Sequence, residues 1–332
     1  MFLWIGFIVC TTVIIYAGTR LSKYGDIIAE KTGLSRTWIG VVLMASVTSL
    51  PELVTGISSV TYAGVPDIAI GDILGSCVFN MLIIVFLDAA YRPMAVSAKA
   101  HPGNVLSASF GILLLSIVTL SIFLGNKIYL LGWFGLYTPL LIGIYFIAMK
   151  LVYSYEKKHI SEFVEKRAVE LKYAGISLKT AIQNYCINAV LIIIAASVLP
   201  KIGEGIARIT GLGQTFVGNI FIAVATSLPE VVVSVTAVRI GAVDLAIGNL
   251  FGSNIFNILI LALDDLLFFN GPILSFVRQN HMVSALSAIA MTTTAIIGLT
   301  YRAEKKRLLL AWDSIGIVIL YLSNLVLLYM LK

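Results

Sequence analysis

Apolar segments long enough to cross a lipid bilayer recur along the whole of this chain. A bilayer-spanning helix needs about 20 predominantly apolar residues, and the 332-residue sequence contains ten such segments. Only 12% of the residues are charged, against roughly 25% in a soluble domain. The sequence therefore predicts an all-α membrane protein. The predicted spans are 1–19, 37–62, 67–90, 105–126, 128–150, 180–199, 213–238, 244–268, 281–300 and 309–331.

The basic residues predict how the chain is oriented in the membrane. Lys and Arg are enriched in the cytoplasmic loops of membrane proteins. If the N-terminus lies outside, 18 of the 23 basic residues fall on the cytoplasmic side and 5 fall outside. We therefore expect a multi-pass protein of the cell membrane with both termini outside. The same bias explains the net charge of +6, so no nucleic-acid partner is expected.

The first apolar segment and the three cysteines are expected to be ordinary parts of the membrane domain. No basic residue precedes the apolar run of 1–19 and no small-residue cleavage site is evident. We interpret this run as a transmembrane helix and not as a signal peptide. Cys10, Cys77 and Cys186 lie far apart, each in an apolar run. That spacing favours small core residues over a disulfide or zinc framework.

Two long segments of the sequence are duplicated. Residues 21–52 align without gaps to 199–230 with 16 of 32 positions identical. Residues 64–83 align to 241–260 with 11 of 20 identical, after one extra residue in the first copy. Such similarity indicates an internal duplication. The predicted units are a first five-helix repeat over 1–152, a cytoplasmic linker over 153–179 and a second five-helix repeat over 180–332.

The two copies are predicted to cross the membrane in opposite directions. The first duplicated motif lies in the second span and its counterpart lies in the seventh, an odd number of spans later. Inverted-topology repeats are common in secondary transporters, where the binding site lies near the midplane at the repeat interface. The sequence therefore predicts ten transmembrane helices in two inverted-topology five-helix repeats.

Both copies contain the stretch TSLPE inside an apolar run. Pro51 and Pro229 each lack an N–H and clash with the carbonyl four residues earlier, so each should break its helix. A break in hydrocarbon is tolerated only where it is buried in protein or lines a cavity. Freed carbonyl oxygens are ligands for hard cations. A plain proline kink is the alternative, but it does not explain why the break recurs beside a carboxylate.

A glutamate follows each proline. A carboxylate at mid-membrane depth costs about 3 kcal/mol or more and is functional by default. A protonated glutamic acid that joins two helices by a hydrogen bond is the alternative. Glu52 lies four residues after Thr48 and three after Ser49, so the three side chains share one helix face. The second copy repeats this face with Thr226, Ser227 and Glu230.

The second duplicated element, GDILGSCVFN at 71–80 and GNLFGSNIFN at 248–257, adds polar side chains and glycines. In each copy a serine and an asparagine lie four residues apart on one helix face and could supply further oxygen ligands. Hydrogen bonding between helices is the alternative role. The glycines are expected to allow close helix packing. The polar pairs are Ser76 with Asn80 and Ser253 with Asn257, and the glycine pairs are Gly71 with Gly75 and Gly248 with Gly252.

The side chains that the repeats bring together suit hard cations. The set holds two carboxylates, two amides and several hydroxyls, and neither TSLPE segment contains Cys or His. Oxygen ligands select sodium or calcium over soft metals. Two carboxylates neutralise one divalent or two monovalent ions in a medium of low dielectric constant, where uncompensated charge is costly. Obligatory exchange requires a site that holds either the divalent ion or the two monovalent ions.

These motifs resemble the alpha-repeats of the sodium/calcium exchanger family, prokaryotic type, within the calcium/cation antiporter superfamily. The resemblance covers both halves, and the paired motif is specific. It implies exchange of sodium for calcium, no cofactor and no enzymatic activity, with the two ions and the lipid bilayer as partners of a functional monomer. It also implies alternating access by sliding of the first and sixth spans. The ion ligands of the family map onto Thr48, Ser49, Glu52, Ser76, Asn80, Thr226, Ser227, Glu230, Ser253 and Asn257, with the carbonyls of Ala45 and Ala223.

The chain departs from the family pattern at three points. Family members often have an acid on one of the helices that here supply Asn80 and Asn257, so potassium co-transport is not expected. Asp72 stands where the second copy has Asn249. We interpret it as a helix-end acid near the interface in preference to an extra carboxylate near the access path. The large calcium-sensing insertion of animal exchangers does not occur between the halves.

Three other functions stay open at this stage. A proton-coupled antiporter of the same superfamily could use the two glutamates as proton sites, because desolvation raises carboxylate pKa values. A membrane-embedded hydrolase with Ser49 or Ser227 as nucleophile needs a neighbouring base, but the three histidines are predicted in loops or at span ends. A cation channel would share the ligand chemistry and differ in lacking counter-transport.

Overall fold

Helices make up nearly all of the described chain. The computed structural model describes residues 2–91, 94–127, 130–164, 172–173, 175–210, 225–302, 306 and 309–331. The α-helices are α1 (Phe2–Thr32), α2 (Arg36–Ile39), α3 (Ala45–Thr48), α4 (Leu50–Ser58), α5 (Pro66–Ala90), α6 (Val96–Lys99), α7 (Gly103–Leu124), α8 (Tyr137–Val164), α9 (Leu178–Thr210), α10 (Leu228–Arg239), α11 (Val243–Leu267), α12 (His281–Tyr301) and α13 (Trp312–Met330). Two π-helical turns, π1 (Gly40–Met44) and π2 (Ser59–Ala63), extend the second span, and short 3-10 turns cover Gly125–Lys127 and Ile273–Ser275.

The membrane-spanning character of the chain is confirmed within the described residues. Nine helices there are long and apolar enough to cross a bilayer. They match nine of the ten predicted segments. The predicted seventh segment, 213–238, is described only from residue 225, and α10 covers its second part.

Three predicted boundaries were wrong. Helix α1 continues to Thr32, thirteen residues beyond the apolar run, because one face of this polar extension remains buried. The predicted fifth span begins at Tyr137 and not at 128, because a two-stranded antiparallel hairpin precedes it. This hairpin pairs β1 (Leu130–Leu131) with β2 (Phe134–Gly135). Helix α8 continues to Val164, beyond the predicted end of the fifth span at 150, so the first residues of the proposed linker 153–179 are helical.

The core lies around α5 and α11, which are the most buried of the described spans. Helices α1 and α9 pack mainly against each other and, together with Ala225, form a small apolar cluster apart from the main one. That cluster contains Ile14, Ala195, Ala196, Leu199 and Ala225. The main apolar cluster joins most of the other described helices and also includes residues of α1 and α9, such as Leu21 and Ile192. The α1–α9 pair therefore lies beside a larger helical body.

The two halves exchange equivalent hydrogen bonds. Asp67, at the start of α5, accepts the backbone N–H of Arg278 at 2.9 Å. Asp244, at the start of α11, accepts the backbone N–H of His101 at 2.5 Å. The two acceptors, Asp67 and Asp244, are 177 positions apart in sequence, and so are the two donors, His101 and Arg278. In each pair the acid and its donor belong to different halves.

A second exchanged pair closes the other ends of α5 and α11. Asp88 accepts the backbone N–H of Ala311 at 2.7 Å, and Asp265 accepts the backbone N–H of Gly135 at 3.0 Å. Each acid also accepts a backbone N–H eight residues further along the chain. The central helix of each half is thus anchored at both ends to the other half.

We expect Asp265→Ala to destabilise the protein by about 3 kcal/mol, because it leaves several buried donors without an acceptor, each costing about 1–3 kcal/mol. The buried Asp265 carboxylate accepts hydrogen bonds from Gly135 N, Tyr137 Oη, Thr138 Oγ1 and Ile273 N. Thermal unfolding of the purified protein in detergent measures the effect. An unfolding midpoint equal to that of the parent chain would show that these bonds contribute no net stability.

Candidate ion-binding site

The proline in each TSLPE stretch interrupts its helix at the preceding serine, as predicted. Ser49 has φ −92° and ψ 5°, and Ser227 has φ −84° and ψ 5°. Helices α4 and α10 begin immediately afterwards, with the proline in the first turn. The new helix N-terminus carries a partial positive charge that stabilises an anion in its first turn. The proline of each motif therefore starts a new helix within the span, and the glutamate that follows it lies in the first turn of that helix.

Polar side chains from the two halves meet at the breaks. Ser49 Oγ donates to Glu230 Oε1 at 3.2 Å, across the halves. Ser76 Oγ donates to Glu52 Oε1 at 3.1 Å and accepts from Ser227 Oγ at 3.2 Å. All five side chains are fully buried. Because Ser76 is the eleventh residue of the 25-residue α5, it lies about 15 Å from the helix start at 1.5 Å per residue.

The threonines of the motif contact two residues outside the predicted ligand set, Asn249 and Asp72, as well as the predicted ligand Ser253. Thr48 Oγ1 donates to Asn249 Oδ1 at 3.3 Å and lies 3.3 Å from Ser253 Oγ. Thr226 Oγ1 donates to Asp72 Oδ1 at 3.3 Å. The interpretation of Asp72 as a helix-end acid near the interface was wrong, because only 6% of the residue is exposed. Its equivalence with Asn249 in the repeat was the signal that could have placed it here.

The asparagines of the second element lie one helical turn after its serines on α5 and α11. Asn80 Nδ2 donates to Asn254 Oδ1 at 3.0 Å, and Asn254 Nδ2 donates to the Cys77 carbonyl at 3.2 Å. Asn257 Nδ2 lies 4.0 Å from Cys77 Sγ. This arrangement leaves Oδ1 of Asn80 and Oδ1 of Asn257 without a hydrogen-bond partner. Asn254 was missed as a positioning residue because the first copy has Cys77 at that place.

Several buried oxygens of the cluster lack any partner. Besides the two amide oxygens, Glu52 Oε2 and Glu230 Oε2 have none. Buried polar atoms are normally hydrogen-bonded, so these four oxygens are available to a cation. Within the described residues, no three or more His, Cys, Asp or Glu side chains form a metal-binding group. A cation here would therefore depend on hydroxyl and amide oxygens as well as on carboxylates, as a hard cation does.

Ten of the twelve predicted ligands are side chains that the structure brings into or beside this cluster. The carbonyl of Ala45 already accepts the N–H of Ser49 at 3.0 Å and lies 3.4 Å from the Thr48 hydroxyl. Ala223 lies outside the described residues. Neither Ser49 nor Ser227 has a histidine among its described hydrogen-bond partners.

The glycines of the second copy pack as predicted. A methyl group on Gly252 would come within 2.5 Å of the Val41 backbone, and one on Gly248 within 2.7 Å of the Thr37 carbonyl oxygen. On the facing π1 segment, a methyl group on Gly40 would come within 2.5 Å of the Leu245 carbonyl oxygen of α11. Backbones of α11 and of the α2–π1 segment therefore touch directly, and this contact sets the distance between Thr48 and the polar side chains of α11.

The comparison with known families decides the classification. A family model described as sodium/calcium exchanger protein matches residues 2–155 and 185–330. The chain belongs to the sodium/calcium exchanger family. It is 28% identical over 339 residues to the sodium/calcium exchanger MaX1 of Methanosarcina acetivorans, with 92% of this chain and 93% of that protein covered. It is also 28% identical over 255 residues to the inner membrane protein YrbG of Escherichia coli, with 76% of each covered.

Solved structures of the sodium-calcium exchanger NCX_Mj have the same fold as this exchanger-family chain. One of them superposes with a TM-score of 0.73 at 20% sequence identity, and the match covers 98% of both chains. The chain is therefore a membrane-embedded cation antiporter of this family, with the exchanger fold.

Proposed function

We propose that this chain exchanges sodium for calcium across the cell membrane through one site at the interface of its two halves. The two glutamate carboxylates carry the argument. Each is fully buried and has one oxygen without a hydrogen-bond partner, and neither is in an ion pair with a described basic residue. Cations are the ligands that compensate such charge in a medium of low dielectric constant.

The ligand set supports competition between the two kinds of ion. Two carboxylates neutralise either one calcium ion or two sodium ions, and the surrounding hydroxyl and amide oxygens suit both. The proposed ligands are Thr48, Ser49, Glu52, Ser76, Asn80, Thr226, Ser227, Glu230, Ser253 and Asn257, with the carbonyls of Ala45 and Ala223. Because neither charge is compensated when the site is empty, the empty site is unfavourable, and this favours exchange over one-way leakage.

The reciprocal bonds between the halves support an inverted repeat. Two similar parts that are related by a two-fold axis make each contact twice, with the roles of the two parts exchanged. The pairs Asp67 with Arg278 and Asp244 with His101 satisfy this rule. Because the copies lie five spans apart, an odd number, they cross the membrane in opposite directions, which requires that the axis lie in the membrane plane. We infer ten helices, both termini outside, and a functional unit of one chain.

Sliding of α1 and α9 is the movement that we propose for alternating access. These two helices pack mainly on each other and share a small cluster around Ile14 and Ala196, although other residues of both helices belong to the main core. A pair that is packed mainly on itself can shift against the rest of the molecule while the ligands remain in place. Such a shift would open the central site to one side and then to the other.

A gradient-swap experiment tests the coupling ion. Purified protein is reconstituted into vesicles, and calcium uptake is followed under an imposed sodium gradient and then under an imposed pH gradient. We expect the sodium gradient to drive uptake and the pH gradient alone to drive none. Uptake driven only by the pH gradient would identify a proton-coupled antiporter instead. Calcium flux that continues without any ion on the opposite side would identify a channel.

A further inference from the structure

Two acids beside the central site break the similarity of the halves. Gly56 lies one turn after Glu52 on α4, and Asp72 lies one turn before Ser76 on α5. Because α4 and α5 run antiparallel, Gly56 and Asp72 lie at the same level, on the side of the glutamates that is nearer to π2. The third member of this group is Asp264 of α11.

The equivalent place in the other half is uncharged. There Asn249 replaces Asp72, Ser234 replaces Gly56 and Leu87 replaces Asp264. Asn249 Nδ2 donates to Ser234 Oγ at 3.0 Å. The amide and the hydroxyl satisfy each other, so the packing of this region does not require a carboxylate.

The carboxylate of Asp264 is buried without any compensation. The residue is 0% exposed, and neither of its side-chain oxygens has a hydrogen-bond partner. It lies against the bare backbone of α4, where a methyl group on Gly56 would be 2.8 Å from Oδ1 and closer still to Oδ2. The absence of a side chain at position 56 is therefore what makes room for this acid.

Asp72 completes the group with one more unpartnered oxygen. Its Oδ1 accepts the Thr226 hydroxyl, but Oδ2 has no partner. Helices α4, α5 and α11 pack against one another in pairs, so Asp264, which lies against Gly56, and Asp72, at the level of Gly56, belong to one region of the core. No described basic side chain forms an ion pair with either aspartate. Three buried carboxylate oxygens of this region thus have neither a hydrogen-bond partner nor a described counter-charge.

We propose that Asp72 and Asp264 form a second cation-binding station, one helix turn from the central glutamates toward the outside. It takes a hard cation, for which the unpartnered oxygens are suitable ligands. The inference rests on the proposed function for its direction, because the outside is the side assigned by the basic residues. A cation released from or entering the central site would stop here.

Calcium binding to the full-length protein tests the station apart from transport. Radioactive calcium binding is measured by equilibrium dialysis on protein in lipid nanodiscs. The parent chain should bind calcium in a tight and a weak component, and the double variant Glu52→Gln, Glu230→Gln should keep the weak one. Adding Asp264→Asn to the double variant should weaken the remaining binding at least about 10-fold, as expected when one of two carboxylate ligands is lost.

Two further variants separate a binding role from a structural one. Gly56→Ala in the same double variant should also weaken the remaining binding, because the new methyl group displaces the Asp264 carboxylate without removing any charge. Asp313→Asn is the matched control, since Asp313 is also buried against a glycine, Gly298, with one unpartnered oxygen. It should leave calcium binding unchanged.

The results distinguish the station from the central site. If the double variant binds no calcium, or if Asp264→Asn leaves its binding unchanged, there is no second station and Asp264 is a neutral acid in the protein core. If the double variant binds calcium as the parent chain does and Asp264→Asn removes that binding, the station stands and the central site is wrong. Size-exclusion profiles establish that each compared variant is folded.

Discussion

Glu52→Gln and Glu230→Gln are each expected to lower sodium-driven calcium uptake by about 100-fold or more, equivalent to about 3 kcal/mol of lost ion binding. Glutamine keeps the shape of the side chain and the hydrogen bond that it accepts from a serine. It removes the negative charge that the cation neutralises. Uptake into vesicles that contain the purified variant measures the loss.

The same substitutions should not unfold the protein. Removing an uncompensated buried charge lowers a desolvation cost, so the unfolding midpoint without calcium is expected to stay equal or to rise. Glu30→Gln is a suitable control, because Glu30 is an acid of α1 that accepts the backbone N–H groups of Lys172 and Tyr173. It should transport at the parent rate. Normal transport by either central variant would refute the proposed site.

Gly252→Ala is expected to destabilise the protein by about 3 kcal/mol, at the upper end of what overpacking of a well-packed core costs. The added methyl group would lie 2.5 Å from both the Cα and the carbonyl oxygen of Val41. These atoms belong to a backbone that cannot rotate away, so α11 and π1 must separate. Thermal unfolding in detergent, with and without calcium, measures the change.

Separation of these helices should also impair ion binding. Thr48 Oγ1 lies 3.3 Å from Ser253 Oγ, the residue directly after Gly252, and a shift of 1 Å would break that contact. Gly143→Ala is the control, because no described atom lies within 4 Å of a methyl group at that exposed position of α8. It should raise stability slightly, since glycine is unfavourable inside a helix. Equal effects of the two substitutions would disprove the close packing at Gly252.

Much of the fold and of the site was predictable because it depends on local properties of the chain. Hydropathy over about 20 residues locates a span, whatever the span contacts. Proline breaks a helix by its own chemistry, and the breaks occur at Ser49 and Ser227 as expected. The extra residue of the first copy is also explained by local structure. It falls between residues 52 and 64, the stretch that contains π2 (Ser59–Ala63), and a π-helical turn accommodates one additional residue in a helix.

Local patterns failed where a boundary or a partner depended on distant parts of the chain. The end of α1 was placed too early because its last thirteen residues are polar, although one side of them is buried. The hairpin before α8 was missed because the bonds of Gly135 and Tyr137 to Asp265 come from another helix. Asp72 was misplaced for the same reason, since its partner Thr226 belongs to the other half.

Asp264 and Asp265 show most clearly what the sequence determines and what depends on the tertiary structure. The sequence by itself determined that the chain crosses a membrane, that it carries a duplicated pair of broken helices, and that two glutamates start the new segments. It could not distinguish two adjacent aspartates at the end of one span. In the tertiary structure a rotation of about 100° per helical residue turns them to different neighbours. Asp265 meets four hydrogen-bond donors, and Asp264 meets the bare backbone of Gly56.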